Sequence, residues 1–410
     1  MSTIQKFTLD NGVRVLCEPI DTVRSAAVGI TCHTGSRHEF ENEAGITHFI
    51  EHMLFKGTER RGSREIAESI EGRGGVLNAF TDKEQTTYYA RVLSDDVENA
   101  IDVLSDMLLN SLLADEEMER EKGVVIEEIS RSEDEPGDHV HDLHMRGQWG
   151  DHPLGKPVIG TKESVKSFSR QNLVDYLARR YRGGELILSA TGDIKTEVIL
   201  GLAEKFLARV TAGSDQPKLE TPKQLPGQDL IQKDIEQVHF CIGGPSVDYY
   251  HDDIYAVAVL DSILGGGMSS RLFYEIRERR GLAYSVGSYN VSYSAGGLFT
   301  IYGGTSLATW EEVLSVTHAE IKKIVDEGLV AGELERIKRQ MSGHMVLALE
   351  GMNSRMMRMT KNELRYGREI PVDETLARVN AVEESKIRDL AATMLAPDVL
   401  RVTALGPFSG

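Results

Sequence analysis

Between Gly45 and Thr58 the apolar residues Ile46, Phe49, Ile50, Met53 and Leu54 fall at i, i+3, i+4, i+7 and i+8. That spacing predicts a helix with one core-facing stripe, and Gly57 supplies a stop. The run Val97 to Leu109 has the same helical period. Residues 12–16 and 26–30 read as strands after a turn at Asp10-Asn11-Gly12. TTYYARVLS at 86–94 and GGLFTIYGG at 296–304 also read as strands. Some of these strands alternate in polarity and others read as buried throughout. The pattern predicts an α+β fold in which a mixed, mainly antiparallel sheet carries helices on one face.

Residues 211–228, TAGSDQPKLETPKQLPGQ, hold three prolines and almost nothing apolar. This is linker composition. It divides the chain into a first half at 1–210 and a second at 229–410. ADEEMEREKG at 114–123 and VAGELERIKR at 330–339 each follow an apolar helical run. Aligning Glu117 with Glu333 gives an offset of 333 − 117 = 216. Two tandem homologous α/β domains are therefore expected.

Composition excludes several classes. The chain has 410 residues, enough for roughly two to four domains. Its net charge of −18 leaves no basic stripe for nucleic acid and reads first as solubility. No apolar run approaches the ~20 residues of a membrane span, and the N-terminus does not read as a secretory leader. The odd number of widely spaced cysteines, Cys17, Cys32 and Cys241, fits a reducing, cytoplasmic setting without disulfides. They are expected in strands as small hydrophobes.

The chemistry concentrates on the first helix. His48 and His52 stand four apart, within about 40° of each other on the face opposite the apolar stripe. Two imidazoles placed so can reach one metal ion, and Glu51 projects beside His52, where a carboxylate can meet a metal-bound water. The order H-x-x-E-H is the inverted zincin pattern. The competing reading is three polar residues on a solvated face. A third ligand is expected from the segment 119–136, helical after Asp115 and ending before Pro136. Glu121 and Glu128, seven apart, share one helical face, whereas Glu127 points away. A face with two such carboxylates suits one ligand and one partner for a histidine. His139, His141 and His144 form a rival cluster that matches no helical zinc motif, and they read as structural or surface residues. Gly265-Gly266-Gly267 reads as a flexible turn, since no Gly-Lys-Ser/Thr follows it.

HFIEHMLFKGT at 48–58, GGVLNAFTDKEQTTYYARV at 74–92 and REKGVVIEEI at 120–129 resemble the pitrilysin, insulysin and mitochondrial processing peptidase family. The similarity is greatest to the processing-peptidase β subunit and its small bacterial relatives. It covers nearly the whole chain, and the step from His52 to Glu128, 128 − 52 = 76, is the one the family pattern requires. The resemblance implies one zinc ion per chain on His48, His52 and Glu128, with Glu51 as general base and Glu121 in support. It implies that Asn78, Ala79, Phe80 and Thr81 form a sheet edge to which an extended peptide adds as a strand, a mode that tolerates many sequences. It implies that Arg277 and Tyr284 reach the substrate, Tyr284 toward the oxyanion and Arg277 toward a backbone carbonyl.

The second half has no H-x-x-E-H, and His344 stands where the offset places the counterpart of Glu128 (128 + 216 = 344). The second half is thus expected to be silent for metal. The implied activity is a zinc metalloendopeptidase, a hydrolase of unfolded peptides with a preference near basic residues. Its chamber is implied to form from two clam-shell halves, a homodimer or a heterodimer with a silent paralogue. The alternative is a non-catalytic assembly subunit of the same family. No nucleic-acid or membrane partner is expected.

Overall fold

The computed structural model describes residues 4–217 and 220–408. The three N-terminal and two C-terminal residues of the expected halves, and Lys218 and Leu219 of the expected linker, lie outside the described residues. The strands are β1 (Gln5–Thr8), β2 (Arg14–Pro19), β3 (Ser25–Cys32), β4 (Val76–Thr81), β5 (Thr86–Leu93), β6 (Leu186–Gly192), β7 (Gly227–Gln232), β8 (Gln237–Ser246), β9 (Ala283–Ser292), β10 (Gly297–Ser306) and β11 (Arg401–Gly406). They form a six-stranded sheet ordered β1-β2-β6-β3-β5-β4 and a five-stranded sheet ordered β7-β11-β8-β10-β9. In the first sheet β2 pairs parallel with β6 and the other pairings are antiparallel. In the second, β11 pairs parallel with β7 and the others are antiparallel. The second sheet repeats the topology of the first without the outer strand β1, which is the duplication the offset implied.

The chain divides into two compact units, but they are not the two contiguous halves. The first gathers the chain up to Ser130, from Pro157 to the linker, and Ala348–Glu369. The second takes Arg131–Lys156, the chain after the linker to Leu347, and everything from Ile370 on. Each sheet thus borrows one helix from the other half of the sequence. Helix Met352–Tyr366 packs on β6, β3 and β2, and helix Pro136–Trp149 packs on β8 and β11.

This exchange explains why β6 is buried throughout and β3 from Ala26 on. Ala26, Val28, Ile30 and Cys32 enter the main core of the first unit with Ile46, Phe49, Ile50, Met53 and Leu54. Ala27 turns to the opposite face, against Met352 and Met356. Gly29 lies there too: a Cβ on it would stand 3.1 Å from the Met356 methyl carbon. Helices on one face describe each half's own helices; the second face is closed by a helix from far along the chain.

Cys17, Cys32 and Cys241 sit buried and unpaired in β2, β3 and β8. The first residues of the linker are tied to the first unit: Asp215 N and Gln216 Nε2 donate to the buried Glu185 carboxylate at 3.0 and 2.5 Å. Its last residues, from Gly227, already belong to β7. Among the described residues no helix is long and apolar enough to cross a membrane.

Candidate metal centre

Helix Ile46–Leu54 buries the predicted stripe and turns His48, Glu51 and His52 to its other side. Its start is fixed from outside. Gly45 adopts φ +86°, a left-handed conformation that glycine tolerates. The Glu39 carboxylate accepts from Gly45 N at 2.8 Å and Thr47 N at 2.9 Å, and the Thr47 hydroxyl meets the Tyr176 hydroxyl at 2.6 Å. Burial pushes the Glu39 carboxyl up to about 7 against these backbone donors.

Helix Asp115–Asp134 supplies the carboxylates. Glu128 Oε2 stands 3.6 Å from His52 Nε2, and Glu128 Oε1 stands 3.9 Å from His48 Nε2. One donor atom from each of His48, His52 and Glu128 lies within 4.8 Å of the others. These separations are too long for hydrogen bonds and suit three atoms around a common ion. Glu127 is not among these converging donors, as the helical geometry requires.

The two rings differ in protonation. His52 Nδ1 meets Glu121 Oε1 at 2.8 Å, a contact that places the proton on Nδ1 and leaves the Nε2 lone pair toward Glu128. Burial would lower the His52 pKa, but Glu121 and then Glu128 outweigh it and raise it, so a metal binding at Nε2 would displace a proton there. Burial and the neighbouring His52 pull His48 down to about 4, so its ring is neutral and able to ligate. The residues present fit zinc: two imidazoles and a carboxylate, the carboxylate 45% exposed.

Around this cluster, burial raises the Glu51 carboxyl, opposed by a hydrogen bond donated from the Thr81 hydroxyl. Burial would also raise Glu121, but hydrogen bonds from His52 and Lys56 hold it below the usual carboxylate range. Thr81 ends β4, the outer strand of the first sheet, so among the described residues Asn78–Thr81 lie on an edge with no further strand paired to it. On that edge Ala79 N donates to the Asn78 side-chain oxygen at 2.8 Å.

Arg277 and Tyr284 lie in the second unit. The Arg277 guanidinium lies over two rings, 4.6 Å from the Tyr284 centroid and 4.8 Å from that of Phe273. Tyr284 is 80% exposed on β9, the outer strand of its sheet. His344 is exposed, and among the described residues the group able to hold a metal ion includes none of the rival histidines. His144 is fully buried with Nδ1 3.1 Å from the Thr403 hydroxyl, and His141 meets the Tyr289 hydroxyl at 2.8 Å.

Residues 14–162 match the sequence model described as Insulinase (Peptidase family M16), and residues 167–341 match the Peptidase M16 inactive domain. The chain belongs to peptidase family M16. This M16 chain is 41% identical over 395 residues to an uncharacterized zinc protease of Bacillus subtilis, with 96% of each covered. It is 38% identical over 403 residues to an uncharacterized zinc protease of Streptomyces coelicolor, covering 96% of this chain and 88% of that one. Its fold matches the crystal structure of a protease from Helicobacter pylori with a TM-score of 0.92 at 20% identity, covering 99% and 100% of the two chains. It matches a peptidase M16 inactive domain from Pseudomonas fluorescens with a TM-score of 0.91 at 21% identity, covering 100% and 98%.

Sequence reasoning missed three contributors to the M16 centre: Glu39 at the helix start, Lys56 on Glu121, and Thr81 as the partner of Glu51. Lys56 stands four residues beyond His52 but past the end of the helix at Leu54, so its contact with Glu121 is set by the tertiary structure. The other two are likewise set by tertiary contacts.

Proposed function

We propose that this M16 protein is a zinc-dependent endopeptidase that cuts extended, unfolded peptides, with one zinc per chain on His48, His52 and Glu128. The observation that carries the reading is the convergence of these three donors beside Glu51, itself hydrogen-bonded to the outer strand of the first sheet. Zinc supplies a Lewis acid there and lowers the pKa of a water to roughly 7.

Glu51 takes the proton of the attacking water and returns it to the departing amine. Its partly buried carboxyl, shifted upward, is suited to hold that proton between the two steps. Glu121 keeps the His52 ring in the ligating tautomer. The Asn78–Thr81 edge pairs with the main chain of the peptide, which selects for an extended backbone. Tyr284 hydrogen-bonds the carbonyl oxygen as it gains charge, and Arg277 holds a neighbouring carbonyl. The charge of −18 supports a preference for basic residues near the cut. A homodimer completes the chamber in this reading, with a heterodimer containing a silent paralogue as the other arrangement. Three buried, unpaired cysteines support a cytoplasmic setting.

The test uses wild type and Glu51→Gln on a quenched basic peptide of about 10–20 residues, long enough for strand addition, with bound zinc counted. Internal cleavage by wild type, its loss with a chelator, and a zinc-loaded but inactive variant are expected. Zinc binding without cleavage of any peptide in a panel would shift the reading to an assembly subunit. Absence of zinc would remove the ligand assignment.

A further inference from the structure

We propose that Lys56 is a positioning residue for the metal centre, locking the carboxylate helix against the histidine helix; the inference rests on the zinc reading above. Glu121 is only 4% exposed, and each of its oxygens has a partner. Oε1 lies 2.8 Å from His52 Nδ1, and Oε2 lies 2.7 Å from Lys56 Nζ. His52 and Lys56 come from the same stretch of chain, so the three side chains close a ring between two helices.

The second anchor matters because the last torsion of a glutamate is soft and nearly two-fold. Held by His52 alone, the Glu121 carboxylate would swing about its bond, leaving a buried oxygen unpaired. With both oxygens held, the carboxylate plane is fixed and so is the direction of the His52 ring. The same lock reaches the third ligand. Glu128 lies seven residues beyond Glu121 on the same face, and it stands 3.6 and 3.9 Å from the two ring nitrogens.

Lys56 itself is braced. Its N–H donates to Met53 O at 3.1 Å, past the end of the histidine helix. Leu112 N then holds Gly57 O at 3.1 Å, and the Thr58 hydroxyl donates at 2.8 Å to Asp106, whose side chain is fully buried. Arg61 binds the same carboxylate at 2.6 Å.

The measurement is the zinc dissociation constant, by competition with a chromophoric chelator, for wild type, K56M, K56R, E121Q and K56M/E121Q. K56M is expected to weaken zinc by roughly 10–100-fold, the range for outer partners of a ligand. K56R, which keeps a positive charge and N–H donors to offer Glu121, is expected to stay within about threefold of wild type. K56M/E121Q is expected to match E121Q, because Lys56 acts through Glu121. Zinc-free circular dichroism confirms the fold of each variant, and K56R against E121Q carries the test if K56M fails to fold. Wild-type affinity in K56M, K56R as weak as E121Q, or losses that multiply in the double variant would overturn the lock. A wild type that binds no zinc would remove the functional reading and this inference with it. Tight zinc in both wild type and K56M would remove this inference alone.

Discussion

The Thr81 hydroxyl, at the end of β4, donates to the Glu51 carboxylate. One hydrogen bond thus joins the proposed base to the sheet edge proposed to hold the peptide. Hydrogen bonds to charged groups contribute about 1.5–3 kcal/mol, so Thr81→Val is expected to lower kcat/KM by roughly 10–100-fold. Bound zinc should not change, and Thr81→Ser should recover most of the rate. Steady-state kinetics with parallel zinc counting checks this; an unaltered kcat/KM in Thr81→Val would count against the link.

Glu127 and Glu128 are neighbours in sequence but not in role. Glu128 stands 3.6 Å from a histidine nitrogen, and Glu127 is not among the converging donors. Glu128→Gln is expected to weaken zinc by more than the roughly 10–100-fold typical of an outer partner. Glu127→Gln should leave affinity untouched. Chelator competition on both variants separates them, and equal losses would overturn the assignment.

Gly45 starts the histidine helix at φ +86°. A Cβ there would meet Ile159 O at 2.5 Å and a Gly160 carbon at 2.7 Å, both backbone atoms that cannot step aside cheaply. Gly45→Ala is expected to destabilise by about 2 kcal/mol or more, since backbone strain of this kind alone costs about 1–3 kcal/mol. Urea unfolding reads it. A midpoint equal to wild type would show that the entry to the helix relaxes freely.

His144 predicts an acid sensitivity in the second unit. Burial, then His141 and Arg401, pull its pKa down from 6.5 to about 3. Between those values the unfolded chain carries a proton on this ring that the folded chain does not. Stability is therefore unaffected above pH 6.5 and falls as the pH falls through the window. At pH 4 the loss from this ring reaches at most about 3 kcal/mol. Replacing it by His144→Gln should flatten unfolding midpoints between pH 7 and 4 relative to wild type. Parallel curves for the two proteins would exclude His144 as the cause.

A chain ending at residue 217 is expected not to fold on its own. The first sheet would lose helix 352–366, leaving Leu16, Ala27 and Ile187 without Met352, Met356 and Met359. Within the full chain, Met356→Ala should cost about 2–5 kcal/mol, the range for truncating a buried methionine. Soluble, cooperative unfolding of the short chain would contradict the helix exchange.

The alternation of apolar and polar positions determined the elements. It set the helix at 46–54, the strands around residues 12–30 and 86–94, and the linker that separates two related halves, because period and turn chemistry are local properties of a chain. It also set which glutamate of the pair 127 and 128 shares a face with Glu121, since that depends only on helical rotation. Spacing put His48 and His52 on one side of a helix. It took the contact between two helices, 69 residues apart at His52 and Glu121, to show that the rings and carboxylates converge. The same holds for the second face of each sheet. A strand such as β3 reads as buried on both sides, but nothing local to it names the covering helix, which arrives from more than 300 residues away because both apolar faces must be closed. Lys56 and Thr81 belong to this second class. Each is an ordinary polar residue in its own segment, and only the packing of distant segments gives it a carboxylate to hold.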